Sequence, residues 1–231
     1  KPAVRRRNPD AFEPELGIPV LPGSPADIVR VLGGVITDAR LERVRRVAAG
    51  RTRRVIPVLE GLSDPHNGSA ILRSADAFGI AEVHVVPGPN GFYAGSTVAK
   101  GTTQWLDLQP HDTSEACADA LIDAGYAIYA ASMEGEAGLA DLAKLDKVAI
   151  VFGNEHTGPS ALMRERATGT YAIPMRGFVE SLNVSVAAAI TLHGVVGDRP
   201  SELNEEELEL LVARMLFRTV PDAAEILADR L

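Results

Sequence analysis

The sequence predicts an α/β protein: a parallel sheet with helices on both of its faces. Three observations predict it. Short apolar runs recur along the chain, each closed by a turn residue. The runs are apolar throughout rather than alternating, as strands buried on both faces are. Segments of helical periodicity with capping signals lie between several of them. The chain has 231 residues, 46% of them hydrophobic and 23% charged, so it can bury one sizeable core with extensions or two small ones.

The elements follow in order. Residues 1–33 are rich in Pro, Gly and Arg, and predict an irregular basic arm with a short helix at Ala26–Leu32. Thr37 has the character of an N-cap, and the helix after it sets Leu41, Val44 and Ala48 on one face and arginines on the other. Strands are expected at Val55–Gly61, Glu82–Val86, Tyr126–Ala131, Val148–Gly153 and Thr170–Met175. Helices are expected at Asn67–Phe78, from Asp112 (with Glu115 as a capping box) to about Ala124, and at Asn183–His193, which is apolar on nearly all sides and should be buried. Asn204 with Glu207 opens a last long helix bearing Leu208, Leu211, Val212, Met215 and Leu216, and Pro221 breaks it before a short one. The division expected is an arm at 1–33, an α/β domain with its lead-in helix at 34–198, and a helical extension at 199–231.

Composition narrows the class. No apolar run approaches the ~20 residues of a membrane span. KPAVRRRNPD is followed by no apolar h-region, so no secretory leader is expected, and a start at Lys rather than Met points to a longer gene product. The single cysteine, Cys117, excludes a disulfide framework within the chain and makes a cytoplasmic setting the default; with Leu121 and Ala124 it should lie on a buried helix face. Net charge is −8, but residues 1–54 carry 12 Lys/Arg against 6 Asp/Glu, and the rest carry 11 against 25. Arg40, Arg43, Arg45, Arg46, Arg51, Arg53 and Arg54 crowd the end of the basic part. With Arg5–Arg7 they form a candidate phosphate-binding footprint, in which Arg43, Arg45 and Arg46 are the RNA-binding candidates. The plain alternative is a solvated helix face, or pairing with the acidic segment Glu205–Glu209.

The common cofactor signatures are absent. There is no Walker A sequence, no G-x-G-x-x-G after a strand and no G-x-S-x-G elbow. His66, His84, His111, His156, His193 and Cys117 form no metal-ligand spacing, so no metal is expected. Three polar, glycine-bearing stretches remain at strand ends: DPHNGSAILRSADAFG (Asp64–Gly79), VFGNEHTGPS (Val151–Ser160) and IPMRGFVESLNVSVAAAITLH (Ile173–His193). In α/β sheets ligands bind outside the carboxyl ends of strands. Taken singly, Asn67 and Asn183 would be plain helix caps.

Taken together, in this order, the phrases LGGVITDARLERV, PHNxSAxxR, GxExxG and IPMxGxxxSLNVSVAxA resemble the motifs of the SpoU/TrmH branch of the SPOUT methyltransferases, from about Leu32 to His193. The resemblance implies a sheet whose C-terminal part forms a deep trefoil knot, an exception to the usual rules of connection. It implies S-adenosyl-L-methionine as cofactor, held by Ala131, Ser132, Gly153, Ile173, Met175, Ser181 and Leu182, and a homodimer. It implies Asn67, Arg73, Glu155, Ser181 and Asn183 as catalytic and site-building residues. Relatives carry Thr where the strand Tyr126–Ala131 ends; here Ala131 is followed by Ser132, which moves the hydroxyl by one position. Arg73 fits the role of phosphate clamp and alkoxide stabiliser better than that of general base, because a guanidinium holds its proton to above about pH 12. The implied activity is RNA ribose 2′-O-methylation, of tRNA first (a D-loop guanosine) and of ribosomal RNA as rival. A catalytically idle RNA- or cofactor-binding protein on the same fold is the alternative from another class.

Overall fold

The computed structural model describes residues 11–12, 16–89, 91–92, 94–95 and 101–231. In chain order the elements are β1 (Ala11–Phe12), α1 (Pro25–Gly33), α2 (Asp38–Ala49), β2 (Val55–Glu60), α3 (Pro65–Ala77), β3 (Glu82–Val86), β4 (Ala94–Gly95), a 3₁₀ turn at Thr103–Trp105, β5 (Asp107–Pro110), α4 (Ser114–Asp123), β6 (Ala127–Ala131), α5 (Leu139–Leu142), β7 (Val148–Phe152), α6 (Ala161–Arg166), β8 (Gly169–Tyr171), α7 (Val184–Val196), α8 (Glu205–Thr219) and α9 (Ala223–Arg230). Six strands form one parallel sheet in the order β5-β3-β2-β7-β6-β8, and β1 pairs with β4 in a separate antiparallel ribbon. The two central strands, β2 and β7, are buried at every residue, which is why their sequences are unbroken apolar runs.

Alternation along the strands sorts side chains to two layers. Leu59, Val83, Val85, Ile150 and Phe152 face α3 and α7 through Ile71, Leu72, Ala188 and Leu192. Ile56, Val58, Val86, Ala149 and Val151 face α4 and α6 through Cys117, Leu121 and Met163. A third cluster joins the two ends of the chain: Ile28, Leu32, Val44 and Ala48 pack on Leu211, Val212, Met215, Leu216 and Leu227. Truncating one of the fully buried residues there, such as Leu32, should cost about 2–5 kcal/mol.

Several expectations need correction. The helix expected at Ala26–Leu32 is present as α1, capped by Ser24 with Pro25 in its first turn, but it packs into a core cluster instead of lying in an irregular arm. Arg5–Arg7 lie outside the described residues. The cap of α4 is Thr113, which accepts from the Ala116 N–H, rather than Asp112, and Ala124 is exposed past the end of that helix. The last strand stops at Tyr171, and residues 172–183 have no regular structure. The apolar α7 is not buried all round: Val186 and Ile190 are 47% and 40% exposed. Thr37 and Asn204 cap their helices as their sequence context implies, the latter in a capping box with Glu207.

The arginine cluster divides. Arg51 is buried; it donates to the Ile80 carbonyl at 2.6 Å and pairs with Asp76. Arg54 is buried as well. It donates to the carbonyls of Leu145 at 3.0 Å and of Val195 and Val196 at 2.6 and 3.1 Å, so one guanidinium meets the orphan carbonyls that follow α5 and end α7. Arg53 is half-buried, 3.6 Å from Asp107 and 3.9 Å from Glu82. These three hold the fold together. Arg40, Arg43, Arg45 and Arg46 are exposed on α2, and among the described residues none of them pairs with Glu205–Glu209.

Candidate active site

Because neighbouring strands run parallel, the loops leaving β2, β7, β6 and β8 emerge along one edge of the sheet. Strand β2 is followed by Gly61, whose φ of +63° is a left-handed value that glycine adopts without strain. Asp64 caps α3 by accepting from the His66 N–H, with Pro65 in the first turn. Asn67 is therefore not the cap. It sits buried inside the first turn, with its side-chain amide turned to the neighbouring loops.

That amide joins the three stretches picked out in the sequence. Asn67 Nδ2 donates to Glu155 Oε1 at 2.9 Å, and the Asp64 N–H reaches the same oxygen at 3.0 Å. The N–H and hydroxyl of Ser63 donate to Glu155 Oε2 at 3.0 and 2.8 Å. From the third loop, Asn183 Nδ2 donates to Asn67 Oδ1 at 3.0 Å, while its own Oδ1 accepts from the N–H and hydroxyl of Ser185 at the start of α7. Burial alone would raise the Glu155 carboxyl. The hydrogen bonds from Asn67, Ser63 and Asp64 override it and bring the group down to about 2. Glu155 is thus a fixed anion with four donors around it, poorly suited to accept a proton in a reaction near neutral pH.

A second tie lies beside it. Asn154 Nδ2 donates to the Gly61 carbonyl at 2.9 Å and its Oδ1 accepts from the His156 N–H. Asn154 was not among the residues singled out from sequence; its place beside Glu155 in the glycine-bounded turn is the only signal for it. Gly153 is fixed sterically: a Cβ there would stand 2.1 Å from Pro159 N. Gly135, also absent from the sequence-derived set, is constrained in the same way, with a Cβ 2.1 Å from the Tyr171 carbonyl carbon. Around it the segment after β6 runs against the end of β8. Ser132 N–H donates to the Tyr171 carbonyl, Ala137 N–H to the Thr170 carbonyl, and Ala172 N–H to the Ala137 carbonyl.

The other residues fall as follows. Ala131 ends β6, and Ser132 accepts from the Glu134 N–H. Ile173 is half-buried against the main core, whereas Met175 and Leu182 are exposed apolar side chains on the loop after β8. Ser181 and Arg73 are exposed and make no hydrogen bond or ion pair among the described residues. Arg73 lies six residues beyond Asn67 on α3, about 9 Å further along the axis. The fold therefore brings Asn67, Glu155 and Asn183 together and leaves Arg73 and Ser181 free. It also brings together three side chains whose spacing in the sequence gave no metal signal, His84, His111 and Cys117.

Comparison with known proteins accords with this geometry. The family model described as the SpoU rRNA Methylase family matches residues 54–193. The tRNA (guanosine(18)-2′-O)-methyltransferase of Borreliella burgdorferi is 34% identical over 169 residues, which are 73% of this chain and 78% of that protein. The 23S rRNA (guanosine-2′-O-)-methyltransferase RlmB of Xanthomonas axonopodis pv. citri is 38% identical over 165 residues, covering 70% of this chain and 65% of that protein. The crystal structure of the A. aeolicus TrmH/SpoU tRNA modifying enzyme superposes with a TM-score of 0.70 at 26% identity, over 79% of this chain and 98% of that one. With a family match spanning more than half of its length and the three motif loops clamped at one sheet edge, the chain belongs to the SpoU rRNA Methylase family.

Proposed function

We propose that the protein is an S-adenosyl-L-methionine-dependent RNA ribose 2′-O-methyltransferase, acting on tRNA. The observation that carries this reading is the Glu155–Asn67–Asn183 clamp. It fixes three loops around one edge of the sheet and keeps no free base of its own. When bound, the cofactor supplies a methyl group already activated for transfer. The chain's residues must then hold and orient the partners and steady the charge that develops on a ribose oxygen. Backbone groups after Ala131 and Gly153 and the apolar side chains Ile173, Met175 and Leu182 would hold the cofactor, with Ser132 and Ser181 offering hydroxyls. The residues fit such a group: Met175 and Leu182 are exposed apolar side chains on the loop after β8, and the tight backbone packing at Gly135 and Gly153 fixes the loops beside it. Arg73, exposed and unpaired, would take a phosphate and stabilise the developing alkoxide.

The similarity to guanosine-18 methyltransferases, which extends over most of their length, favours tRNA, with a D-loop guanosine as first target. The Arg43–Arg46 face supports RNA binding. A cavity of about 650 Å³ opens beside it, floored by Val44, Val47, Trp105 and Met215 and rimmed by Arg40 and Arg43. The interlocked segments 132–137 and 170–172 support passage of the chain through a knot. Phe178, Val179, Val186 and Ile190 are large, exposed and apolar on one stretch of chain, which supports a homodimer built on that face. Among the described residues no helix is long and apolar enough to cross a membrane; with the single cysteine reduced, a cytoplasmic setting suits the reading. Transfer of labelled methyl from S-adenosylmethionine to total tRNA, with ribosomal RNA in parallel, tests it: label in tRNA is expected, and label in neither RNA would overturn it.

A further inference from the structure

Glu82 and His84 stand two residues apart on β3, so they share the face of the sheet that α4 covers. Glu82 Oε1 lies 2.9 Å from His84 Nε2, and His84 Nδ1 lies 3.0 Å from His111 Nε2, just past the end of β5. Cys117, on α4, completes a group in which one ligand atom from each of His84, His111 and Cys117 lies within 4.8 Å of the others. Cys117 is fully buried, His84 nearly so, and His111 reaches the surface and leaves a way in.

The chemistry of this group is ordered. Glu82 Oε1 stands at hydrogen-bond distance from His84 Nε2, and a carboxylate oxygen offers only lone pairs there. The carboxylate therefore accepts, His84 Nε2 carries the proton, and the lone pair of His84 is at Nδ1, directed at His111. His111 presents Nε2 to the same point, 3.0 Å from His84 Nδ1, so both rings can turn a nitrogen to one ion. A carboxylate fixing the tautomer of a ligating histidine is the usual outer partner of a zinc ligand.

We propose that His84, His111 and Cys117 form a binding site for a thiophilic divalent cation of the zinc type, with Glu82 orienting His84. In a tetrahedral zinc site, bond lengths of about 2.0–2.1 Å to nitrogen and 2.3 Å to sulfur set N···N at about 3.3 Å and N···S at about 3.6 Å. The histidine nitrogens need to part by only a few tenths of an ångström from their 3.0 Å contact. The sulfur, within 4.8 Å of a nitrogen of each ring, has to close in by about an ångström. Binding breaks the Cys117 S–H bond and forms a metal–sulfur bond; the proton leaves to solvent, and His111 shifts its proton to Nδ1. A thiol ligates as thiolate, so one proton is released per ion bound. The ion with one thiolate keeps a single positive charge, which the Glu82 carboxylate faces. Water would fill the fourth position, on the exposed side of His111. The site is structural: it would tie the end of edge strand β5 and helix α4 to β3, well separated in sequence from the clamp residues.

Tag-free protein, stripped with chelator and titrated with Co²⁺ as a spectroscopic stand-in, tests this. One equivalent should bind with a thiolate-to-cobalt charge-transfer band and tetrahedral d–d bands, and Zn²⁺ should displace it. The apparent dissociation constant should fall about tenfold per pH unit between pH 6 and 8, as release of one proton requires. Cys117→Ser should lose the charge-transfer band. His111→Ala, at a partly exposed position that should not disturb folding, should weaken binding at least tenfold with unchanged circular dichroism. No band at one equivalent, or a band unaltered in His111→Ala, would overturn the proposal and leave a Glu–His–His hydrogen-bond chain as the whole content of the cluster.

Discussion

Replacing Glu155 by glutamine keeps the shape of the clamp and removes its charge. The amide oxygen can still accept from Asn67 Nδ2 and the Asp64 N–H, but its NH₂ then faces the Ser63 N–H, donor against donor. A carboxyl brought from 4.5 to about 2 by folding contributes roughly 3 kcal/mol at neutral pH. The side chain is only partly shielded from solvent, so about 2 kcal/mol is the realistic figure. The folded value lies below the unfolded one. The contribution is therefore complete above about pH 4.5 and is lost as pH falls through the folded value near 2. Urea unfolding of wild type and Glu155→Gln should differ by about 2 kcal/mol at pH 7, or about 4–8 °C in Tm for a chain of this size. The gap should narrow steadily from pH 4.5 to pH 3. Methyl transfer should fall at least tenfold, because three loops lose their common anchor. A gap that stays constant from pH 7 to pH 3 would falsify the carboxylate clamp.

Arg73→Ala should lower methyl transfer by at least a hundredfold, leave cofactor affinity within about threefold by calorimetry, and leave Tm unchanged, since the side chain has no partner to lose. Gly153→Ala should destabilise by more than about 3 kcal/mol in denaturant melts, because its Cβ would stand 2.1 Å from Pro159 N and the turn must break to admit it. Replacing Arg43, Arg45 and Arg46 together by Ala should weaken tRNA binding and flatten the slope of log affinity on log salt by about 2–3, with Tm unchanged; normal binding with lost stability would sink the footprint. Val186→Glu with Ile190→Glu should turn a dimer into a monomer in light scattering, whereas a wild-type monomer at micromolar concentration would remove the dimer reading.

The central sheet was legible because its physics is local. Val55–Glu60 and Val148–Phe152 are buried on both faces, and only an unbroken apolar run satisfies that. The edges were not. Strand β5 reads Asp-Leu-Gln-Pro, with Asp107 buried between Arg53, Arg214 and Arg218, and no propensity argument finds a strand there. The expected strand Thr170–Met175 ends early for a similar reason. After Tyr171 the backbone finds its partner in Ala137 of the loop after β6 rather than in a neighbouring strand. Periodicity also misjudged α7: its sequence is apolar all round, yet among the described residues nothing covers Val186 and Ile190.

The family resemblance pointed to Asn67, Glu155 and Asn183, and the fold brings these three side chains together. Asn67, Glu155 and Asn183 are separated by 88 and 28 positions, and only the parallel order of β2, β7 and β8 brings them into hydrogen-bonding distance. Once they meet, their chemistry is spent on one another. A carboxylate with four donors and an amide with both ends engaged position loops; they do not exchange protons with a substrate. The arginines divide along the same line. Charge counting gave Arg40 through Arg54 one role, yet the carbonyls of Ile80, between α3 and β3, and of Val195, near the end of α7, claim Arg51 and Arg54, because a buried carbonyl must find a donor. What remains is the informative part: among the described residues Arg73, Ser181, Arg43 and Arg45 are exposed polar side chains without a partner, which is why the proposed RNA contacts are placed on them.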